Sequence, residues 1–301
     1  MGWTIELVGL GPSGVSQLNP VRNPGTNRGE DMAKVFAYMG RIIGLGIVAF
    51  LFSGCSIDIN GVDWQDNSGD EEASQMWNQT LKVDGQMAIR ILGQNGTVTI
   101  IGVEGVDEVT IRADKRVRSR SFRDAREHLP LLDVNVHGGS EEIVIETDQP
   151  RDSNGRSYIV DYEITLPKNL KAFVYNGNGA VTVEDLGADL LVEVGNGNVD
   201  IAALVGSSWV SVGNGVVESS VFLPTGGQAV YAVGNGSVSL AVQPLVSAQL
   251  NARVGNGTIS VTGLAIVDPV QSTGIFTGRL GSGSGLIDLT VGNGWVQVRG
   301  K

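Results

Sequence analysis

The chain has 301 residues and a formal net charge of −11; 43 residues are glycine and only 18% are charged. That acidic balance excludes a general nucleic-acid binder, which needs a basic surface to neutralise phosphate. A single cysteine excludes an intrachain disulfide, and with only two histidines no Cys/His metal cluster can be assembled.

Abundant glycine without a Gly-X-Y period fits many short strands joined by tight turns rather than collagen. Residues 1–31 carry Gly9-Leu10-Gly11-Pro12-Ser13-Gly14, formally G-x-G-x-x-G. A dinucleotide site would need a helix to follow, and "NPVRNPGTNRG" is turn and coil. The segment reads as an over-extended N-terminus, because Met32 or Met39 would each open an ordinary signal. Residues 32–54 form that signal: Lys34 and Arg41 supply positive charge, and Ile42 to Phe52 is apolar. About a dozen residues fall short of the ~20 that a permanent span needs. The stretch closes on Phe52-Ser53-Gly54-Cys55, which resembles the lipobox of bacterial lipoproteins, with Phe52 where leucine is usual. The resemblance implies a lipid on the Cys55 sulfur, cleavage after Gly54, and a membrane-anchored protein of the bacterial envelope, at the outer membrane or cell surface. Residues 55–77 are polar and acidic, and they read as a solvated tether.

The body, residues 78–301, is all-β. "NGTVTI" (Asn95 to Ile100) and "SYIVDYEITLP" (Ser157 to Pro167) alternate apolar and polar residues with the period of half-buried strands. One short helix is predicted near 119–129. Phe122, Ala125 and Leu129 share a face, Ser121 and Asp124 can form a capping box, and Pro130 stops it. Its flanking arginines, Arg112 through Arg126, read as a solvated face diluted by Asp114, Asp124 and Glu127 rather than as a polyanion patch.

After Lys171 a repeat takes over. Glycine-flanked Asn178, Asn196, Asn214, Asn235, Asn256 and Asn293 mark its corners, the first five at intervals of 18, 18, 21 and 21 residues. Ser284 stands in for the asparagine once, and Asn95 is an outlying copy. Two architectures fit. Asn-Gly between alternating strands is a strong hairpin signal, which would give an antiparallel meander. A long single-layer meander, however, leaves its apolar face wet. A parallel β-helix, or β-solenoid, with 18–21-residue coils buries that face by stacking. It would place Val199, Val217, Val238 and Ile259 in one buried column, and Asp200, Glu218, Ser239 and Ser260 in one exposed row. The asparagines would then form a hydrogen-bonded turn ladder.

The run "YEITLPKNLKAFVYNGNGAVTVEDLGADLLVEVGNGNVDI" resembles the bacterial putative-adhesin family, in which a strand ending in proline precedes repeated Gly-flanked turns. The resemblance covers roughly Leu81 to Lys301. It implies a right-handed β-helix and a surface role, with a glycan or an envelope or surface protein as partner, and it offers no catalytic residues. Outward Trp209 and Trp295 suit stacking on sugars.

Chemistry is thin. Carboxylates after Lys171 are sparse, and stacking sets Asp200 beside Glu218 with no basic neighbour, so they read as a solvated pair. No histidine lies beyond His137, and no G-x-S-x-G elbow is present. Neutral asparagine corners lack the charged oxygens that calcium wants. The expectation is a binding module without cofactor or metal. The alternative is an envelope carbohydrate-active enzyme, a polysaccharide lyase or hydrolase.

Overall fold

The computed structural model describes residues 71–301. The signal, Cys55 and most of the tether lie outside the described residues. Seventeen strands, one α-helix and one 3-10 turn make up the described chain, so the fold is all-β with one short helix.

The first strand corrects the tether boundary. β1 (Glu71–Lys82) pairs antiparallel with β4 (Glu108–Ser119), so residues 71–77 are sheet. Their acidic look misled, because Glu72 meets Arg116 and Arg118 across the ladder while Ala73 is buried. The helix α1 (Phe122–His128) is capped by the Ser121 hydroxyl, which accepts from the Asp124 amide at 3.2 Å. The Asp124 carboxylate does not close the reciprocal bond of a capping box. It accepts from Arg156, at 2.6 and 2.7 Å, and from Ser119, and these bonds hold it far below the usual carboxylate range. A 3-10 turn, Leu129–Leu131, takes over where Pro130 ends the helix.

Beyond the helix the strands pair mostly in parallel, and each stretch that passes through one corner is termed a coil. β6 (Glu142–Asp148), β2 (Ala88–Leu92), β8 (Lys171–Asn178) and β10 (Leu190–Asn196) pair in parallel in that order. β7 (Ser157–Pro167), β3 (Val98–Val103), β9 (Val181–Glu184) and β11 (Val199–Val205) do the same on the far side of the corners. β12 (Ser208–Phe222), β13 (Gln228–Val242), β17 (Gly285–Gly300) and β14 (Ala248–Thr262) run through the corner as single strands and continue both series. The residues before the corners thus form a leading side and those after them a trailing side, with one core between. Val217 lies beside Val238 in parallel register, so the antiparallel meander does not hold for the corner strands. Antiparallel pairing is confined to the two ends, so the sheet as a whole is mixed.

Spatial order is not chain order. β2 and β3 sit beside β8 and β9, so the Asn95 corner is part of the stack rather than an outlier. The C-terminal β17 lies between β13 and β14, and the buried column therefore runs Val199, Val217, Val238, Val296, Ile259. Identical corners accept one another in any order, so interval alone does not specify which coil follows which.

The core is mostly Val, Ile and Leu at alternate positions. Where a tyrosine enters, hydroxyls answer it. Tyr231 reaches Ser208 and Ser219, both at 2.8 Å, and Tyr162 meets Thr147 at 2.7 Å, all buried. Burial pushes the Tyr162 phenol up to about 12. Between the ordinary phenol value of about 10 and that value, the folded chain holds a proton that the unfolded chain has lost. Its contribution is therefore complete below pH 10 and is lost as the pH rises towards 12. Tyr162→Phe should lower stability by about 1 kcal/mol at pH 7. It should also flatten the alkaline fall relative to wild type, as read from denaturant midpoints between pH 8 and pH 11.5; parallel curves for the two proteins would contradict this.

Candidate functional site

Each corner is two close backbone contacts with an asparagine between them. At the glycine after Asn235, Gly236, φ is +141°, and a Cβ there would fall inside the Gly215 carbonyl oxygen. At the glycine before it, Gly234, a Cβ would lie 2.5 Å from the Gly213 carbonyl. Glycine is therefore required by conformation and by approach at once. The asparagines themselves do not take positive φ, so the left-handed residue that a hairpin reading assigns to Asn is the following glycine.

The asparagine side chains form one ladder. Asn256 donates to Asn293, Asn293 to Asn235, Asn235 to Asn214, Asn214 to Asn196, Asn196 to Asn178, and Asn178 to Asn95, at 2.7–2.9 Å. Ser284 is not a rung. It lies in the turn before β17 and bonds to Ser247 instead.

The outer face of the leading side carries a second pattern. Phe173, Leu191, Trp209 and Val230 each stand five residues before a corner asparagine and are consecutive register neighbours. They form an outward ridge crossing four coils. Leu191, flanked by the two aromatics, is only 8% exposed, while Phe173 and Trp209 are half-buried. The ridge ends on Arg90, whose guanidinium sits 5.5 Å from the Phe173 ring and is held by Glu142 at 2.9 Å. Nearer the corner, Tyr175, Glu193 and Ser211 border a trough floored by Gly177, Gly195 and Gly213. The absent side chains of the glycine column are what hollow it out.

Sequence reasoning found Trp209 and missed its neighbours. The signal was available, since all four residues share one phase relative to their corners. Trp295 stands apart, on the trailing side between Ser237 and Thr258 and 41% exposed. Neither tryptophan plugs an end of the stack.

Asp200 and Glu218 are register neighbours, both exposed, with Thr182 and Ser239 beyond them. Neither of the two concavities described above and below includes them. The second concavity, at Asn95, Gln149, Arg156 and Tyr158, has its cation engaged by Asp124. Among the described residues no His, Cys, Asp and Glu cluster could hold a metal ion, and no helix is long and apolar enough to cross a membrane. Much of the basic flank is tied up in ion pairs: Arg112 with Glu163, Lys115 with Asp133, Arg116 with Asp161, and Arg123 with Glu127.

No family profile and no curated protein matches the chain. Solved structures do. A "putative cell adhesion protein" from Clostridium sporogenes is 12% identical with a TM-score of 0.42, covering 76% of this chain and 100% of that one. A "putative adhesin" from Bacteroides fragilis is 14% identical with a TM-score of 0.27, covering 74% and 97%. Another, from Parabacteroides distasonis, is 12% identical with a TM-score of 0.23 and the same coverage. These neighbours carry adhesion names, the kind that the sequence resemblance implies. The names describe those proteins; the reading of this chain rests on its own corners and strands.

Asn214 both donates and accepts in the ladder. Asn214→Val should cost about 1 kcal/mol through those two exposed bonds, measured by chemical denaturation. A chelator should leave the melting temperature of the wild type unchanged, and a large drop would reveal a cation among the corners.

Proposed function

We propose that this chain is a bacterial cell-envelope lipoprotein that displays a right-handed parallel β-solenoid as an adhesive binding module. The observation that carries the reading is the Phe173–Leu191–Trp209–Val230 ridge, an apolar and aromatic strip on an outward sheet face beside a backbone-floored trough. Phe173, Trp209 and Val230 each stay partly exposed along it, so their faces are within reach of a ligand. Aromatic faces beside polar amides suit a glycan, with an envelope or surface protein as the other class of partner.

The module acts by binding and not by catalysis. The register-paired carboxylates Asp200 and Glu218 lie in the open, with Thr182 and Ser239 as their next register neighbours. An envelope polysaccharide lyase or hydrolase would need that pair enclosed. The anchor follows from the Cys55 pattern, and more than one acyl chain there would make attachment stable.

Two experiments test the two halves. On an array of glycans and envelope components, Trp209→Ala should weaken capture about tenfold or more, equivalent to about 1.4 kcal/mol, while Trp295→Ala should not. Equal capture by Trp209→Ala and wild type would remove the ridge from the account. For the anchor, radioactive palmitate should label the wild type in a bacterial host and not Cys55→Ser; label in both would refute lipidation at this position.

A further inference from the structure

We infer that two copies of this chain interlock at the β14 end, each completing the unfinished side of the other.

The two sides end at different heights there. The leading side continues past β14 with β16 (Ile275–Leu280) and β15 (Ile266–Ser272), both antiparallel. The trailing side stops: among the described residues Thr258–Thr262 pair with β17 alone. Burial records the gap. Val199, Val217, Val238 and Val296 are at most 1% exposed, yet Ile259, next in the same column, is only half-buried, as is Val261 beside it. On the leading side of the same coil, Leu250 and Ala252 are fully buried. Phe276 pairs with Ala252 and so faces inward, and with Leu264 and Ile266 it packs against the core beyond the last trailing strand.

The open edge also lacks protection. Exposed edge strands are normally guarded by charge, proline or a bulge. β15 carries these features only in its middle, with Asp268 at φ +50°, Pro269, and a register break between Val267 and Val270, which leaves Ile266 and Gln271–Ser272 free of them. The β14 edge, Thr258-Ile259-Ser260-Val261-Thr262, has none. It is built as a strand that expects a neighbour.

The shape of the step says which neighbour. The opposite end of the stack carries β4, β1 and α1 on one side, with Ala125 fully buried, and β5 on the other, so it does not offer a bare corner strand like β14 to a head-to-tail partner. A two-strand step is complementary to its own copy about a two-fold axis lying along the strands between the two sides. That rotation exchanges long side for short. It sets the partner's β15–β16 hairpin against the β14 edge, and the reverse contact forms at the same time. Directions agree: the trailing half of β14 runs away from its corner and β15 runs towards its own, so they meet antiparallel. The break at Val267 and Val270 keeps that ladder short, and most of the contact is apolar, from Ile259, Val261, Ile266 and Phe276 of both copies.

The inference goes beyond the binding proposed above and uses none of its residues. Sedimentation of the purified full chain should show a monomer–dimer equilibrium. Hydrogen exchange at Thr258–Thr262 should slow as concentration rises. Val261→Lys should raise the dissociation constant about tenfold or more, with circular dichroism and melting unchanged at low concentration. Val205→Lys, at an exposed position remote from the step, and Trp209→Ala should both leave the dimer intact. A monomer at every soluble concentration would overturn the inference, whatever the exchange rate at Thr258–Thr262. So would a dimer indifferent to Val261→Lys, or one whose concentration-dependent protection maps to β1 and α1.

Discussion

The structure depends on how closely one backbone passes over the next at the corners. Each coil places a glycine where a side chain would strike the carbonyl of the coil beneath, so coils settle at strand spacing with no lateral offset. A residue with a Cβ at those positions would have to push the coils apart. Once the offset is fixed, like positions fall over like positions. The buried columns, the asparagine ladder and the outward ridge are all results of that single alignment. The ladder adds stability of about 0.5–1.5 kcal/mol per rung at most, but it also penalises a slip of one residue, which would separate every amide from its partner.

The core obeys the same alignment and shows where it gives way. Tyr231 stands in a column with Val192 and Val210, and so is too large for the space a valine leaves. The trailing side answers with Ser219 where its column otherwise holds Ile201 and Leu240. Bulk on one side is matched by a small residue on the other, and three hydroxyls satisfy one another in the dry interior. Neither residue is interpretable alone; they read as one exchange spread across the two sides of the sheet.

Much of this was legible in the sequence, and the limits are physical. Alternation identified the strands because burial on one face imposes period two, and the glycine-flanked asparagines identified the corners because few residues tolerate that approach. Coil order was not legible. Asn293 stands between Asn235 and Asn256, and Asn95 beside Asn178, because corners of the same geometry are interchangeable partners and interval is silent on which pair meets. The start of the body was misplaced for another reason. Glu71 and Glu72 resemble solvated tether until the arginines of β4 are known to lie opposite them. The ridge was half seen, since a tryptophan draws notice and Phe173, Leu191 and Val230 do not until register sets them beside it.

The position of β17 has a consequence for how the molecule is made. β17 occupies an interior place, flanked on both sides by strands that precede it in the chain. β13 and β14 carry the same kind of corner and could meet each other before β17 is synthesised, yet in the finished stack each pairs with β17 instead. Either they wait or they must part. Winding in chain order, one corner after the next, therefore cannot by itself give this stack, because β17 has to enter between two strands that precede it in the chain.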